Sequence, residues 1–272
     1  MARIHPTAVV DPQAEIADDV QIGPYCVIEP DVQIGPGCVL DAHVVVRRFT
    51  TMGENNQVGS FSVLGQWPQD LKFSPSTRSW LRIGRGNVFR EQVTLSRATS
   101  PDGESTIGDN TFWMTGSHLG HEARVDDGVI LANHCAIGGH GRVGAGTFLG
   151  GHCQMHQFCW MGRRVMGQGT AGASMHVPPF VMIYSINRVS GLNRVGLRRD
   201  PQIRPEDIRQ IREAFDLTYR SGLPTGKAIE KLDACSDFGP AADEFRRFVK
   251  DVYQAEPPFR RGLCPFIPER RS

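Results

Sequence analysis

The feature that most constrains this chain is a hydrophobic residue at every sixth position. From Ile4 to Leu64, each sixth place holds an aliphatic residue or methionine without a gap. After interruptions, the same spacing returns over residues 83–95 and 107–161. A period of six fits neither an amphipathic helix nor a strand that alternates between two faces. It is typical of short strands stacked in the successive turns of a solenoid.

Two other places in the hexads agree with a solenoid. Glycine very often follows the repeat residue, as at Gly23 and Gly35, where we expect it to allow a tight corner. The fifth place favours small or β-branched residues, and it holds five of the seven cysteines: Cys26, Cys38, Cys135, Cys153 and Cys159. Since no CxxC motif occurs, packing explains these cysteines better than disulfides or metal binding. We therefore predict a mainly β protein built as a parallel β-helix.

The repeat resembles that of the hexapeptide-repeat transferases. The resemblance implies a left-handed, three-sided β-helix that usually forms a homotrimer, with three hexads in each coil. Residues three hexads apart would then lie on adjacent coils, about 4.8 Å from each other. Spacing along the chain therefore predicts which side chains stack on one another.

The composition argues against two classes of protein. A net charge of +1 and an isoelectric point near 7.7 give no sign of nucleic-acid binding. No apolar run approaches the roughly 20 residues that span a membrane, so stable membrane insertion is not expected. The chain enters its first hexad at Ile4 without a signal peptide, and an odd number of cysteines suits a reducing compartment. We expect a cytoplasmic protein.

The six-residue period breaks at two segments and then ends. Residues 66–80 and 97–105 are polar and rich in turn formers, and such breaks in a solenoid are either binding loops or tolerated surface insertions. The hexads stop at the sequence HVPPF, residues 176–180. We predict a β-helix domain over residues 1–186, followed by a linker and a small C-terminal α-helical domain over residues 187–272.

Three helices are predicted in the C-terminal domain. The first begins at Arg204, because the proline that follows is favoured in a first helical turn, and it ends before Gly222. The second covers residues 227–234 and the third covers residues 241–254. The third carries an apolar stripe made of Phe245, Phe248, Val249 and Val252. Such stripes indicate core packing rather than a cofactor site.

Most of the histidines are concentrated in the later coils, where six of nine occur: His118, His121, His134, His140, His152 and His156. A zinc site, a general base for group transfer, and polar residues along a wet face are the three explanations. His134 and His152 are three hexads apart and would stack, and some hexapeptide proteins resemble γ-class carbonic anhydrases, which hold zinc with histidines. Both occupy places that usually face outward, where a stacked pair needs no metal. We therefore predict no metal site.

The sequences around these histidines carry a more specific resemblance. GSHLGHEARVDDGVILANHCAIGGHGRVG, QMHQFCWMG and HVPPF resemble the UDP-N-acetylglucosamine O-acyltransferases, which open lipid A biosynthesis. The resemblance extends to QDLK in the first interruption, FREQVT before the second, and the GLNRVGLRR, YRSG and RRGL segments. It spans nearly the whole chain.

The resemblance implies a catalytic mechanism. In that family a histidine deprotonates the sugar 3-hydroxyl, which attacks the thioester of a 3-hydroxyacyl group carried on the phosphopantetheine of acyl carrier protein. By motif position the base is His121, and a positioned base is worth about 10²–10⁴ in rate. Glu122 stands where the family usually has the aspartate that orients the ring. The backbone N–H of Gly139 matches the donor to the thioester oxygen, which is worth about 3 kcal/mol in such sites.

The resemblance also implies the substrate contacts and partners. The matching positions are Gln69, Asp70 and Lys72 in the first loop, His118 and His140 near the sugar, His156 and Gln157 near the substrate and acyl portions, Gly169 at the end of the acyl chain, and Asn193 and Arg199 near the nucleotide. Acyl carrier protein and a UDP-amino sugar are the implied partners, and no cofactor is implied. The acidic carrier would dock on basic residues, for which Arg163, Arg164, Arg260, Arg261, Arg270 and Arg271 are the candidates.

Four departures from the family pattern fall on the acceptor side. Ser96 stands where histidine is common, Val195 replaces an acidic residue and Asp200 replaces a basic one. The first loop continues as KFSPSTRS, residues 72–79, instead of a KY-x-G-E pattern. The acceptor is therefore either UDP-N-acetylglucosamine or a related 3-amino sugar nucleotide. A non-catalytic hexapeptide scaffold or binding protein is the alternative from a different class.

Overall fold

The six-residue repeat forms a left-handed, three-sided parallel β-helix, as predicted. In the computed structural model, residues 1–267 are described. Each coil adds one short strand to each of three sheets, which contain 11, nine and eight strands. Arg3 pairs with Gln21 and Gln21 with Val39, so neighbouring strands are three hexads apart along the chain. The structure confirms the parallel register that the repeat implies.

The strand bounds follow the three faces of the prism. The first sheet contains Arg3–Ile4, Gln21–Ile22, Val39–Leu40, Gln57–Val58, Val88–Phe89, Phe112–Trp113, Ile130–Leu131, Phe148–Leu149, Met166–Gly167, Val181–Ser185 and Arg188–Leu192. The second contains Val9–Val10, Val27–Ile28, Val45–Val46, Val63–Gln66, Thr94–Ser96, His118–Leu119, Ala136–Ile137, Gln154–Met155 and Gly172–Ala173. The third contains Glu15–Ile16, Gln33–Ile34, Thr50–Met52, Trp80–Ile83, Glu104–Ile107, Arg124–Val125, Arg142–Val143 and Trp160–Met161.

The repeat residues fill the interior of the prism. Leu64, Leu95 and Leu119 are fully buried, and Trp113 is the largest buried side chain. The five cysteines at the fifth place are buried and unbridged. Because the thiols of four of them contact backbone carbonyls of the next coil, as Cys135 Sγ does with Gly150 O at 3.0 Å, packing accounts for them.

The glycine that follows the repeat residue has a different function from the expected one. The φ of Gly35 is not in the left-handed region. That region is instead occupied by the residue two places later in the hexad, which is usually not glycine, as at His43 (φ 60°). A Cβ added at Gly35 would lie 2.8 Å from the backbone carbon of Gly53. Glycine is therefore required because adjacent coils approach closely, not because the corner needs its φ.

The two interruptions are excursions from otherwise regular coils. Asn56 and Asn87 occupy the same place on adjacent coils but are 31 residues apart, and Asn87 and Thr111 are 24 apart. Both excursions leave the same corner of the prism, between the second and third sheets. They also contact each other, since the N–H of Arg97 donates to Gln66 O at 3.2 Å and that of Trp80 to Gly103 O at 2.8 Å.

Four helices follow the coils within the described residues. They are α1 (Arg194–Arg199), α2 (Pro205–Tyr219), α3 (Thr225–Ala234) and α4 (Pro240–Gln254). Three were predicted, and α1 was not, because its six residues are too few to show an apolar period. The predicted stripe of α4 is buried at Phe245, Val249 and Val252. No helix in residues 1–267 has the length and apolar character needed to cross a bilayer.

Polar contacts attach the C-terminal part to the last coils. The Asp200 carboxylate is 1% exposed and lies 2.8 Å from Arg164 Nε and 3.4 Å from Arg163 Nη1. Arg163 also pairs with Glu244 of α4 at 2.8 Å. After α4, the chain returns to the coils, where His176 Nε2 donates to Phe259 O at 2.7 Å. The helices are therefore held in one position on the β-helix.

Candidate active site

The candidate site lies at the corner between the second and third sheets. His121, Gly139 and Gln157 occupy the same place on three successive coils. Glu122, His140 and Phe158 occupy the next place, because His140 N donates to His121 O and Phe158 N to Gly139 O. Strict three-hexad stacking thus gathers residues that are far apart in the sequence into two adjacent columns.

His121 and Glu122 form a hydrogen-bonded pair. Nδ1 of His121 lies 2.5 Å from Oε2 of Glu122, and the side chains are 20% and 12% exposed. A carboxylate accepts the Nδ1 proton, so this contact favours the tautomer in which Nε2 carries the free lone pair. The pair therefore presents Nε2 of His121 as a proton acceptor.

The carboxylate of Glu122 remains ionised near neutral pH. Burial acts to raise its pKa, but hydrogen bonds from His121, Ser100 and Thr99 outweigh burial and hold the pKa at about 2. The longer side chain of glutamate, compared with the aspartate usual in the resembling family, is thus accommodated in contact with the ring.

Gly139 lies directly against the imidazole of His121. A Cβ added at Gly139 would be 2.7 Å from both Nε2 and Cε1 of His121. The Gly139 N–H has no acceptor within the described residues, but that is also true of the N–H of His121 at the same hexad place. Gly139 is buried, and its missing side chain is what lets the His121 ring lie directly against its backbone.

Two further histidines surround the pair. His118 Nδ1 lies 2.8 Å from Thr94 Oγ1, and burial, with a smaller effect of His121, lowers the pKa of His118. The His140 ring stacks on Phe158 at 4.6 Å and lies 5.3 Å from the His121 ring. Burial lowers the pKa of His140 and outweighs the opposite effect of Glu122. Both imidazoles are therefore suited to neutral hydrogen bonding.

Other predicted contacts lie further along the coils. His156 and Gln157 are exposed, and His156 Nδ1 lies 3.1 Å from Gln157 O. Gly169 lies at a different corner, between the first and second sheets, so a single chain does not bring it to His121. A Cβ added at Gly169 would meet nothing closer than 3.5 Å. The space next to Gly169 is therefore open.

The first loop presents its predicted residues to solvent. Gln69, Asp70 and Lys72 are exposed, and Lys72 N donates to Asp70 Oδ1 at 2.8 Å. Leu71 between them is fully exposed. Within one chain these side chains do not reach His121 through any hydrogen bond or ion pair among the described residues.

The predicted nucleotide residues lie at the start of the C-terminal part. Asn193 is 9% exposed, and its amide is already used: Oδ1 accepts from Gly196 N and Nδ2 donates to Arg164 O, both at 2.9 Å. Arg199 is exposed on α1. These two residues are not brought into contact with the His121 corner.

The departures from the family pattern have structural explanations in two cases. Asp200 forms the ion pairs with Arg163 and Arg164 that attach the helices. Ser96 is 1% exposed and accepts from Gln66 Nε2 at 3.3 Å. Val195 is 58% exposed, and nothing in the structure explains it.

The basic residues proposed as a docking site are mostly engaged. Arg163 and Arg164 are paired with Asp200 and Glu244, as described above. Arg260 pairs with Glu256 at 3.2 Å. Arg270 and Arg271 lie outside the described residues. Because carboxylates already pair with Arg163 and Arg164, these two arginines offer little free positive charge to an acidic partner.

The rings of His134 and His152 stack at 5.1 Å on the solvent-exposed corner between the first and second sheets. Within residues 1–267, the one group of three side chains that could surround a metal ion is His121, Glu122 and His140. Two members of this group, His121 and Glu122, are hydrogen-bonded to each other.

Two residues of the site were missed by the sequence reasoning. Thr99 and Ser100 donate to Glu122 Oε1 through hydroxyl and amide groups. The only sequence signal was their position in the second interruption. The contact depends on how the loop folds back over the next coil, which the period does not predict.

Comparison with known proteins shows the family to which the chain belongs. Residues 176–264 match the family model described as UDP N-acetylglucosamine O-acyltransferase, domain 2, and residues 13–48 match the bacterial transferase hexapeptide model of six repeats. The chain is 42% identical over 249 residues to the acyl-[acyl-carrier-protein]--UDP-N-acetylglucosamine O-acyltransferase of Anaeromyxobacter sp. (strain Fw109-5), covering 91% of this chain and 96% of that one. The chain belongs to the UDP-N-acetylglucosamine O-acyltransferase family.

Other members of this family agree over nearly the full length. The Janthinobacterium sp. (strain Marseille) protein of the same name is 38% identical, covering 97% of this chain and 99% of its own. The crystal structure of UDP-N-acetylglucosamine O-acyltransferase from Moraxella catarrhalis RH4 superposes with a TM-score of 0.89 at 34% identity, over 96% of this chain and 99% of that one. The family membership makes this chain an acyltransferase and confirms the fold that the repeat predicted.

Proposed function

We propose that this protein transfers a 3-hydroxyacyl group from acyl carrier protein to the 3-hydroxyl of UDP-N-acetylglucosamine, the first step of lipid A biosynthesis. The observation that carries the proposal is the His121–Glu122 pair, which presents Nε2 beside the backbone of Gly139. A base and an oxyanion donor on neighbouring coils are what acyl transfer requires.

The reaction follows from this arrangement. Nε2 of His121 takes the proton of the sugar 3-hydroxyl as its oxygen attacks the thioester carbon, and Glu122 stabilises the imidazolium that forms. Negative charge develops on the thioester oxygen, towards which the Gly139 N–H donates. Collapse breaks the carbon–sulfur bond, and His121 returns the proton to the phosphopantetheine thiolate. Acyl ester and free carrier thiol are the products, and the balance needs no further reactant.

The remaining predicted residues would bind the two substrates. His118 and His140 flank the base as neutral imidazoles and suit sugar hydroxyls. His156 and Gln157 would contact the substrate and acyl portions, and Gln69, Asp70 and Lys72 would reach both from the first loop. Arg199 would pair with the nucleotide phosphates through its planar fork, near Asn193. Open space at Gly169 would admit the end of the acyl chain.

A homotrimer in the cytoplasm is part of the proposal. The outward side chains of the first sheet form an apolar column: Val88, Phe112, Ile130, Phe148 and Met166 are each only half-buried. Contiguous apolar surface of this kind usually marks an interface. The exposed Leu71 and the separation of Gly169 from His121 likewise suit a site completed by a second copy.

The test is product formation by His121→Ala. Purified wild-type protein is mixed with 3-hydroxyacyl carrier proteins of several lengths and a panel of UDP-sugars, and products are identified by mass spectrometry. We expect His121→Ala to lose about 10²–10⁴ in rate. His5→Ala, which removes an exposed histidine from the first coil, is the matched control and should keep full activity.

The same panel separates the alternatives. Product with a 3-amino sugar nucleotide but not with UDP-N-acetylglucosamine would keep the chemistry and change the acceptor. If correctly folded protein gives no acylated product from any pair, the proposed enzymatic function is wrong and a scaffold or binding protein is favoured.

A further inference from the structure

The second interruption, residues 97–105, has no role in the function proposed above. Its tip is a turn in which Gly103 N donates to Ser100 O at 3.0 Å. Pro101 fixes its own φ, and Asp102 adopts a left-handed conformation (φ 55°) that aspartate tolerates. The turn is therefore preorganised, and it holds the residues just before it in a defined position.

Those residues surround one oxygen of the Glu122 carboxylate. Oε1 accepts from Thr99 Oγ1 at 2.7 Å, Thr99 N at 2.8 Å, Ser100 N at 3.0 Å and Ser100 Oγ at 3.1 Å. The other oxygen, Oε2, contacts His121 Nδ1. The carboxylate is thus divided between the loop and the base, with one oxygen assigned to each.

This division matters because a glutamate side chain has three rotatable bonds and several rotamers. Held at one oxygen only, the carboxylate could turn away from His121 towards solvent or towards His140, whose Nε2 is 3.8 Å from Oε2. Donors on Oε1 remove that freedom. They also favour the ionised carboxylate, which is the form that accepts the Nδ1 proton.

We propose that Thr99 and Ser100 are positioning residues for acyl transfer: they fix the Glu122 carboxylate so that its second oxygen holds the tautomer and orientation of His121. This inference rests on the proposed role of His121. It gives the second interruption a function that neither substrate contact nor surface tolerance provides.

The same segment anchors the first loop. Arg97 is fully buried, and its guanidinium donates to Thr77 O at 2.9 Å and Pro75 O at 3.1 Å. Its backbone N–H donates to Gln66 O. Residues 97–100 therefore connect the first loop, which carries Gln69 and Lys72, with the carboxylate that orients His121.

The test removes the hydroxyl donors and leaves the amides in place. Thr99→Val and Ser100→Ala should each lower kcat about 5-fold and the double variant about 30-fold, with KM for both substrates within about 2-fold of wild type, because the lost bonds act on the base and not on binding. Thr99→Ser keeps the hydroxyl and should restore kcat. Thr106→Val, whose hydroxyl makes no hydrogen bond among residues 1–267, is the matched control.

A double-mutant cycle distinguishes positioning from general loosening of the loop. In a Glu122→Gln background, which removes the charged acceptor, adding Thr99→Val and Ser100→Ala should lower kcat no further. Loss of the same size in both backgrounds would overturn the proposal, as would wild-type kcat in the folded double variant. Ser100 is exposed, so Ser100→Ala keeps the test available should Thr99→Val fold poorly.

The outcome for His121 separates this inference from the proposed function. If His121→Ala keeps wild-type activity, the role of the base fails. If His121→Ala is inactive while the Thr99→Val/Ser100→Ala variant is fully active, only the positioning role fails.

Discussion

Two corner columns of this β-helix have the same backbone and different chemistry. In the N-terminal coils, Tyr25, His43 and Phe61 stack at 5.0 and 4.8 Å, each with φ near 60°. In the later coils, Glu122, His140 and Phe158 occupy the same hexad place with φ of 53°, 57° and 62°.

In both columns a histidine lies on a phenylalanine. His140 differs from His43 because Glu122, rather than Tyr25, lies on its other side, and because the second interruption reaches that carboxylate. The hexad fixes the backbone of every corner alike. Its chemistry depends on which residues and which loop converge there.

The largest expected difference between the columns is in catalysis. Glu122→Gln should lower kcat about 10²–10³-fold, because an amide does not stabilise the imidazolium that forms at His121. Tyr25→Gln, at the equivalent place of the other column, should leave kcat unchanged. Steady-state assays of the two variants test this difference, and equal kcat values would contradict it.

The columns should also differ in their response to acid. The pKa of Glu122 is held at about 2, below its ordinary value near 4.5, so its contribution to stability is complete above about pH 4.5 and is lost as the pH falls towards 2. This contribution is up to about 3 kcal/mol. Urea unfolding of wild type and Glu122→Gln at several pH values should show a gap that closes in acid; a gap independent of pH would contradict the linkage.

Replacing glycine by alanine should lower activity in one region and stability in the other. Gly139→Ala places a Cβ against the His121 ring and should cost about 10²-fold in kcat with little loss of stability, because small displacements of a reacting group are enough. Gly35→Ala forces a Cβ against the Gly53 backbone and should cost about 1–3 kcal/mol of unfolding free energy with normal kcat per folded molecule. Measuring kcat and urea unfolding for both variants tests the contrast.

The smallest expected effect lies outside both columns. Asn193→Ala removes the side-chain cap of α1 and should cost about 1 kcal/mol of unfolding free energy. If the cap is the whole function of Asn193, KM for the sugar nucleotide should be unchanged. A large rise in KM would instead support a nucleotide contact and link this segment to the catalytic corner.

Much of the fold was predictable because a strict period leaves little freedom. An aliphatic residue at each sixth place fixed the inward side, so the burial of Leu64 and Leu119 and the packing of the five cysteines followed from counting. The reason for the glycines did not follow, since the approach of Gly35 to Gly53 is a contact between coils. Helix α1 was also missed, because its six residues are too few to show an apolar period.

The candidate site divides in the same way. His121, Gly139 and Gln157 are three hexads apart, so they align on one corner once three hexads make a coil, which is what the family resemblance implied. Two other contacts could not be predicted from the period: the ion pairs of Asp200 with Arg163 and Arg164, and the hydrogen bonds from Thr99 and Ser100 to Glu122. Both are made by segments that lie outside the repeat.

The sequence by itself determined the solenoid, its register and the corner at which the histidines stack, because these depend on short-range repetition. Only the tertiary structure decided what surrounds that corner, since irregular loops and the C-terminal segment reach it through contacts between residues distant in the chain.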